Sequence, residues 1–162
     1  MMNKKILFIT HAAVIAALYV VLTLFISVFN LASGAIQVRI SEALTILPVF
    51  TPAAIPGVAI GCLLSNIITG CAFPDIIFGT LATLIGAVGT YMLRKTKFIF
   101  TVPPVLSNAV IIPFVLKYAY GLEDALYYLM ITVGIGEVIS IMVLGMILYF
   151  ALKPLKHRLF GE

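Results

Sequence analysis

The chain of 162 residues is 63% hydrophobic, carries only 10% charged residues and has a mean hydropathy of +1.23. Soluble domains of this size carry about a quarter charged residues. The composition therefore excludes a solvated globular domain, a disordered tail and a nucleic-acid binder, in spite of a net charge of +4. The two cysteines, Cys62 and Cys71, support neither a disulfide framework nor a zinc site, and neither a metal nor a cofactor is expected. What remains is an all-α polytopic membrane protein, a single integral-membrane domain over residues 1–162.

The charges divide the chain. Residues 6–38, 43–74, 76–93 and 98–116 carry none, and 125–152 hold only Glu137. A spanning helix needs roughly 20 apolar residues, so these stretches have the lengths of bilayer crossings. The first helix is expected over 6–29, ending near Asn30. The stretch 43–74 is too long for one helix and contains Pro48, Pro52 and Pro56, so it splits into a short span near 41–51 and a fuller one near 54–71. Further spans follow at about 75–93, 98–117 and 125–152, giving six. With six helices, Lys4, Lys5, Arg94, Lys95, Lys97, Lys153, Lys156 and Arg158 all fall on one face. The positive-inside rule makes that face, and both termini, cytoplasmic. The apolar run after Lys4 and Lys5 is too long for a cleaved signal and is read as a retained helix.

Taken in chain order, the first helix carries two overlapping AxxxA pairs, Ala12/Ala16 and Ala13/Ala17. Small residues one turn apart let another helix approach closely, inside the bundle or from a partner. The segment Asn30–Glu42 (NLASGAIQVRISE) reads as a polar loop on the outer face, of the length used for lids and binding loops. Within it, Arg39 and Glu42 are spaced to pair with each other. The third helix repeats small residues at Gly57, Gly61, Ser65 and Thr69, with Asn66 beside the stripe. An amide there either ties two helices together or faces a ligand. Cys62 and Cys71, nine apart, would stand about 13 Å apart along that helix and cannot bridge. Asp75 follows Pro74 at the outer start of the fourth helix, where an N-terminal cap is enough to account for it.

Glu137 is the most informative residue. It lies more than two turns inside the last span, where an acid costs roughly 2.5–3.5 kcal/mol on insertion scales. No Lys or Arg lies at comparable depth in the sequence, so a ligand or ion role outweighs a structural ion pair. Together the 30–42 loop, Asn66, Asp75 and Glu137 form an outward polar cluster, whereas the cytoplasmic side offers small faces and lysines. No nucleotide-binding or hydrolytic motif accompanies them. A substrate-binding membrane subunit without an engine of its own is the simplest reading.

At this point the sequence shows a resemblance. The run SGAIQVRISEALTILPVFTPAAIPGVAIGCLLSNIITG, followed by FPDIIFGTLATLIGA and IGEVISIMVLG, resembles the queuosine-precursor transporter (QueT) family over about residues 10–150. Those proteins are substrate-specificity (S) components of energy-coupling-factor (ECF) transporters. The resemblance implies six helices in a prokaryotic plasma membrane and uptake of queuine-like 7-deazaguanines. It also implies docking on one transmembrane coupling subunit and two ATPase subunits, and the AxxxA pattern is similar to the S-component docking face. A 7-deazaguanine presents a ring N–H beside an exocyclic amine, which one carboxylate can accept together. On this reading Glu137 is the foremost candidate, Asn66 meets the carbonyl edge or a ring nitrogen, and Asp75 or Glu42 receives an aminomethyl cation. Arg39 and Gln37 belong to the covering loop. The alternatives are an S component for another vitamin-like molecule, a small membrane-embedded enzyme, and a non-binding structural subunit.

Overall fold

In the computed structural model, residues 4–28 and 39–160 are described, and among them every regular element is helical. Helix α1 (Lys4–Val28) is followed by a ten-residue 3₁₀ segment, Ile40–Val49, and then by α2 (Ala54–Ile68) and α3 (Phe73–Met92). A 3₁₀ turn at Ile99–Thr101 leads into α4 (Val102–Ala119). The last rod begins as α5 (Leu126–Glu137), passes through a π-helical stretch at Val138–Gly145 and continues as α6 (Met146–Leu152). A final 3₁₀ turn joins it to α7 (Lys156–Phe160).

Four of these helices are long and apolar enough to cross a membrane: Lys4–Val28, Phe73–Met92, Ile99–Ala119 and Leu126–Leu155. The second and third of the six expected spans are shorter, at 10 and 15 residues. At about 2.0 and 1.5 Å per residue they run roughly 20 and 22 Å, against a hydrocarbon thickness of about 30 Å. The prolines explain the division. Pro48 lies inside the 3₁₀ segment, and Pro52 sits in the turn between the segments, where a ring without an N–H cannot continue a helix. Gly70, at φ +71°, ends the α2 region in the left-handed conformation that glycine adopts without strain.

The bundle is apolar outside and polar within. Large side chains such as Phe25, Ile60, Phe78, Leu106, Ile131 and Ile147 are exposed, as lipid contact requires. Glycines set the closest approaches. A Cβ at Gly57 would stand 3.0 Å from the Ala12 carbonyl oxygen, and one at Gly61 would stand 2.6 Å from Tyr19 Cβ and 3.0 Å from the Ala16 carbonyl oxygen. A Cβ at Gly86 would stand 2.6 Å from Pro104 Cα. The small stripes therefore join α1 to α2 and α3 to α4. Ser41–Pro48 are all buried, and the 3₁₀ segment packs against α1, α2, α3 and the π-helical stretch. It is the centre of the molecule.

Candidate functional site

At the end of the bundle where α2 passes into α3, the helices enclose a cavity of about 590 Å³. Its walls include Tyr19 of α1, Arg39 before the 3₁₀ segment, Asn66 of α2, Asp75 of α3, Tyr120 after α4 and Thr132 of α5. The volume lies within the range of small-molecule sites.

Asp75 is the most exactingly placed acid in the wall. It lies in the first turn of α3, but the cap position is Ala72, so it is not the helix cap that its position after Pro74 allowed. Its Oδ2 accepts a hydrogen bond from the Tyr120 hydroxyl at 2.9 Å, and Tyr120 Oη itself accepts from the Ala72 N–H at 3.1 Å. Burial first, and then the adjacent Asp75 carboxylate, hold the Tyr120 phenol above its ordinary range, so Tyr120 remains a donor. The other oxygen, Oδ1, is buried with no hydrogen-bond partner among the described residues. Asn66 Nδ2 donates to the Asp75 carbonyl oxygen at 3.4 Å. Gly79 leaves room for both, since a Cβ there would stand 3.0 Å from Asp75 Oδ1 and 3.2 Å from Asn66 Nδ2. A buried polar atom left unpaired costs free energy. A donor brought against that oxygen would recover the cost.

A second polar layer lies deeper. Glu42 is not on a surface loop as the sequence suggested. The 3₁₀ segment begins at Ile40 and carries Glu42 into the middle of the bundle, fully buried. Its Oε1 accepts from the Tyr19 hydroxyl and from Thr83 Oγ1 at 3.2 Å, and its Oε2 accepts from Asn108 Nδ2 at 3.4 Å. The expected Arg39–Glu42 side-chain pair gives way to these donors, although the Glu42 N–H donates to the Arg39 carbonyl oxygen at 2.9 Å. Glu137 lies alongside, within electrostatic reach of Glu42 and Arg39 and beside the Asn108 side chain. The sequence offered no basic residue to Glu137, but the fold brings Arg39 near it. Its Oε2 is buried without a hydrogen-bond partner among the described residues.

The candidates therefore separate. Arg39, Asn66 and Asp75 line the cavity, whereas Glu42 and Glu137 are not among its lining residues. Glu137 stands about one helical turn beyond Val133, which does line it. Gln37 lies outside the described residues. Of the alanines, Ala16 is buried against α2 and Ala12 also faces α2, while Ala13 and Ala17 are exposed. Cys62 and Cys71 are both free, and Cys71 falls beyond the end of α2, so the two do not share a helix. Tyr19, Thr83, Asn108 and Tyr120 were not singled out as site residues from sequence. Asn108 had a signal, as the one amide in the charge-free run 98–116. Tyr19 and Tyr120 had none, because interfacial and core tyrosines look alike in sequence.

Comparison with known proteins fixes the lineage. The family described as QueT transporter matches residues 9–154. The chain belongs to the QueT transporter family. That membership places it among the multi-pass proteins of the prokaryotic cell membrane. Among curated proteins, it is similar to the Queuosine precursor transporter QueT of Lactococcus lactis subsp. cremoris (strain MG1363), at 38% identity over 85 residues. The alignment covers 52% of this chain and 50% of that relative, so the chain spans about half the length of the QueT protein it matches. No solved structure matches this QueT-family chain.

Proposed function

We propose that the chain is the substrate-binding membrane subunit of an ATP-driven ECF importer, capturing queuine or a related 7-deazaguanine queuosine precursor. The observation that carries this reading is the Asp75 carboxyl group in the cavity wall, one oxygen of which is buried with no hydrogen-bond partner among the described residues. Family membership supports it, together with the name of the Lactococcus relative. Asp75 is the carboxylate that receives ligand N–H donors, with Tyr120 holding its other oxygen. Asn66 offers its amide to the carbonyl edge of the base, and Arg39, also in the lining, supplies positive charge. Glu137, Asn108 and Glu42 form the polar floor beneath.

The end of the bundle with the cavity faces outward and the basic end faces the cytoplasm, with the two short segments completing six helices. The exposed small faces of Ala13 and Ala17 receive the coupling subunit, and two ATPase subunits supply the energy. Titration of the purified chain with guanine, queuine and its precursors tests the reading. Micromolar or tighter binding of a 7-deazaguanine, with guanine weaker, is the expected result. Binding to none of them overturns it.

A further inference from the structure

At the end of the bundle opposite the cavity lies a second pocket, of about 320 Å³, between the close of the 3₁₀ segment and the chain's last helices. Three cations line it: Arg94, Lys153 and Lys156. No Asp or Glu does. The described acids lie elsewhere: Glu42 and Glu137 in the interior, Asp75 and Asp124 at the cavity, and Glu123 beside Asp124 in the turn before α5. The floor is aromatic. Phe50 stacks on Phe160 at 5.7 Å between ring centroids and on Tyr149 at 5.3 Å.

Two of the cations are held in place by rings. The Arg94 guanidinium lies 3.8 Å from the Tyr91 ring centroid, with Nη1 donating to the Tyr91 carbonyl oxygen at 3.1 Å. Lys153 Nζ lies 5.8 Å from the Tyr149 ring centroid. Arginine fixed in this way keeps N–H groups for a further acceptor, and its planar fork suits phosphate oxygens. Three like charges converging on one small space repel each other, and an anion between them reverses that repulsion.

We propose that this pocket binds a phosphate-bearing anion, supplied by an anionic phospholipid of the surrounding leaflet. The lipid source follows from the residues close in sequence to the lining. Ile99, Leu155 and Leu159 follow or alternate with the lining residues Arg94, Lys156 and Phe160 along the chain and are exposed and apolar, as are the outer faces of the helix rods. A ligand with a phosphate at one end and hydrocarbon at the other satisfies both surfaces, whereas free phosphate satisfies only the cations. Basic pockets at the ends of membrane helices take anionic head groups in this manner.

The test uses the full detergent-purified chain, titrated with dioctanoyl phosphatidylglycerol, dioctanoyl phosphatidylcholine or inorganic phosphate, with bound lipid read by native mass spectrometry. Phosphatidylglycerol binds and phosphatidylcholine does not. Each neutralised cation weakens binding about five-fold, so Arg94→Gln with Lys153→Gln and Lys156→Gln weakens it on the order of 100-fold. Lys117→Gln, after which the chain turns at the cavity end, leaves it unchanged. Should the triple variant fold poorly, a salt titration of the unmodified chain serves instead, with bound phosphatidylglycerol falling steeply between low and high ionic strength. Equal binding of the two lipids, or undiminished binding by a folded triple variant, overturns the proposal. Inorganic phosphate that displaces phosphatidylglycerol at equal concentration overturns the lipid as the source.

Discussion

Asp75→Asn is the most discriminating perturbation of the cavity, because the surrounding hydrogen bonds fix which way the new amide turns. Tyr120 Oη accepts from the Ala72 N–H, and its own proton points at Asp75 Oδ2. In the variant that proton still requires an acceptor, so the carbonyl oxygen of the introduced amide takes the Oδ2 position and its NH₂ group takes the Oδ1 position. A ligand N–H that met a carboxylate oxygen would then meet another donor. Hydrogen bonds to charged groups contribute about 1.5–3 kcal/mol, so affinity should fall roughly 10- to 150-fold. Calorimetric titration of the best-binding 7-deazaguanine measures it. Adding Tyr120→Phe removes the constraint on the amide and lets it flip, so the double variant should regain part of the loss. Such non-additivity is expected of residues in one network. Binding by Asp75→Asn within two-fold of the unmodified chain would refute the assignment.

Glu137→Gln should change affinity less than about five-fold, since Glu137 is not in the cavity wall; this rests on the wall being the contact surface, with direct bonds contributing more than neighbouring ones. A loss larger than that of Asp75→Asn in the same titration would return the recognition role to Glu137. Ala17→Leu should leave ligand binding intact while abolishing ATP-driven uptake in cells that also express the coupling module. Ala16→Leu, buried against Gly61, should instead lower thermal stability by about 1–3 kcal/mol through overpacking. Unimpaired uptake by Ala17→Leu at normal expression would remove that face as the contact. For topology, Leu122→Cys should react with an impermeant maleimide in intact cells and Lys95→Cys should not; the reverse pattern would invert the orientation.

The helices were legible because lipid demands long apolar runs and proline punctuates them: the break at Pro52 and the rod from Leu126 onward follow from these two facts. The depth of Glu42 was not legible. Arg39 and Glu42 flank a polar stretch and read as its end, but a 3₁₀ segment starting at Ile40 takes the acid inward and surrounds it with Tyr19, Thr83 and Asn108. Those three donors come from helices separated by 23, 41 and 66 residues from Glu42, a convergence that local patterning does not contain. Small-residue spacing showed that α1 has close-packing faces but not which one is used within the bundle. The choice of the Ala12/Ala16 face was made by Gly57 and Gly61 on α2.

The 3₁₀ winding of Ile40–Val49 has a consequence for which side chains the bundle keeps inside. At three residues per turn each residue advances by about 120°, whereas an α-helix advances by about 100°. Over the eight steps from Glu42 to Phe50 the two windings differ by about 160°. With Phe50 anchored in its stack on Tyr149 and Phe160, rewinding the segment to α would swing the Glu42 carboxylate to nearly the opposite side. It would also draw it about 4 Å along the axis. Helical pitch thus acts here as a selector of composition, since the same ten residues wound differently would present the polar centre of this molecule with another set of side chains.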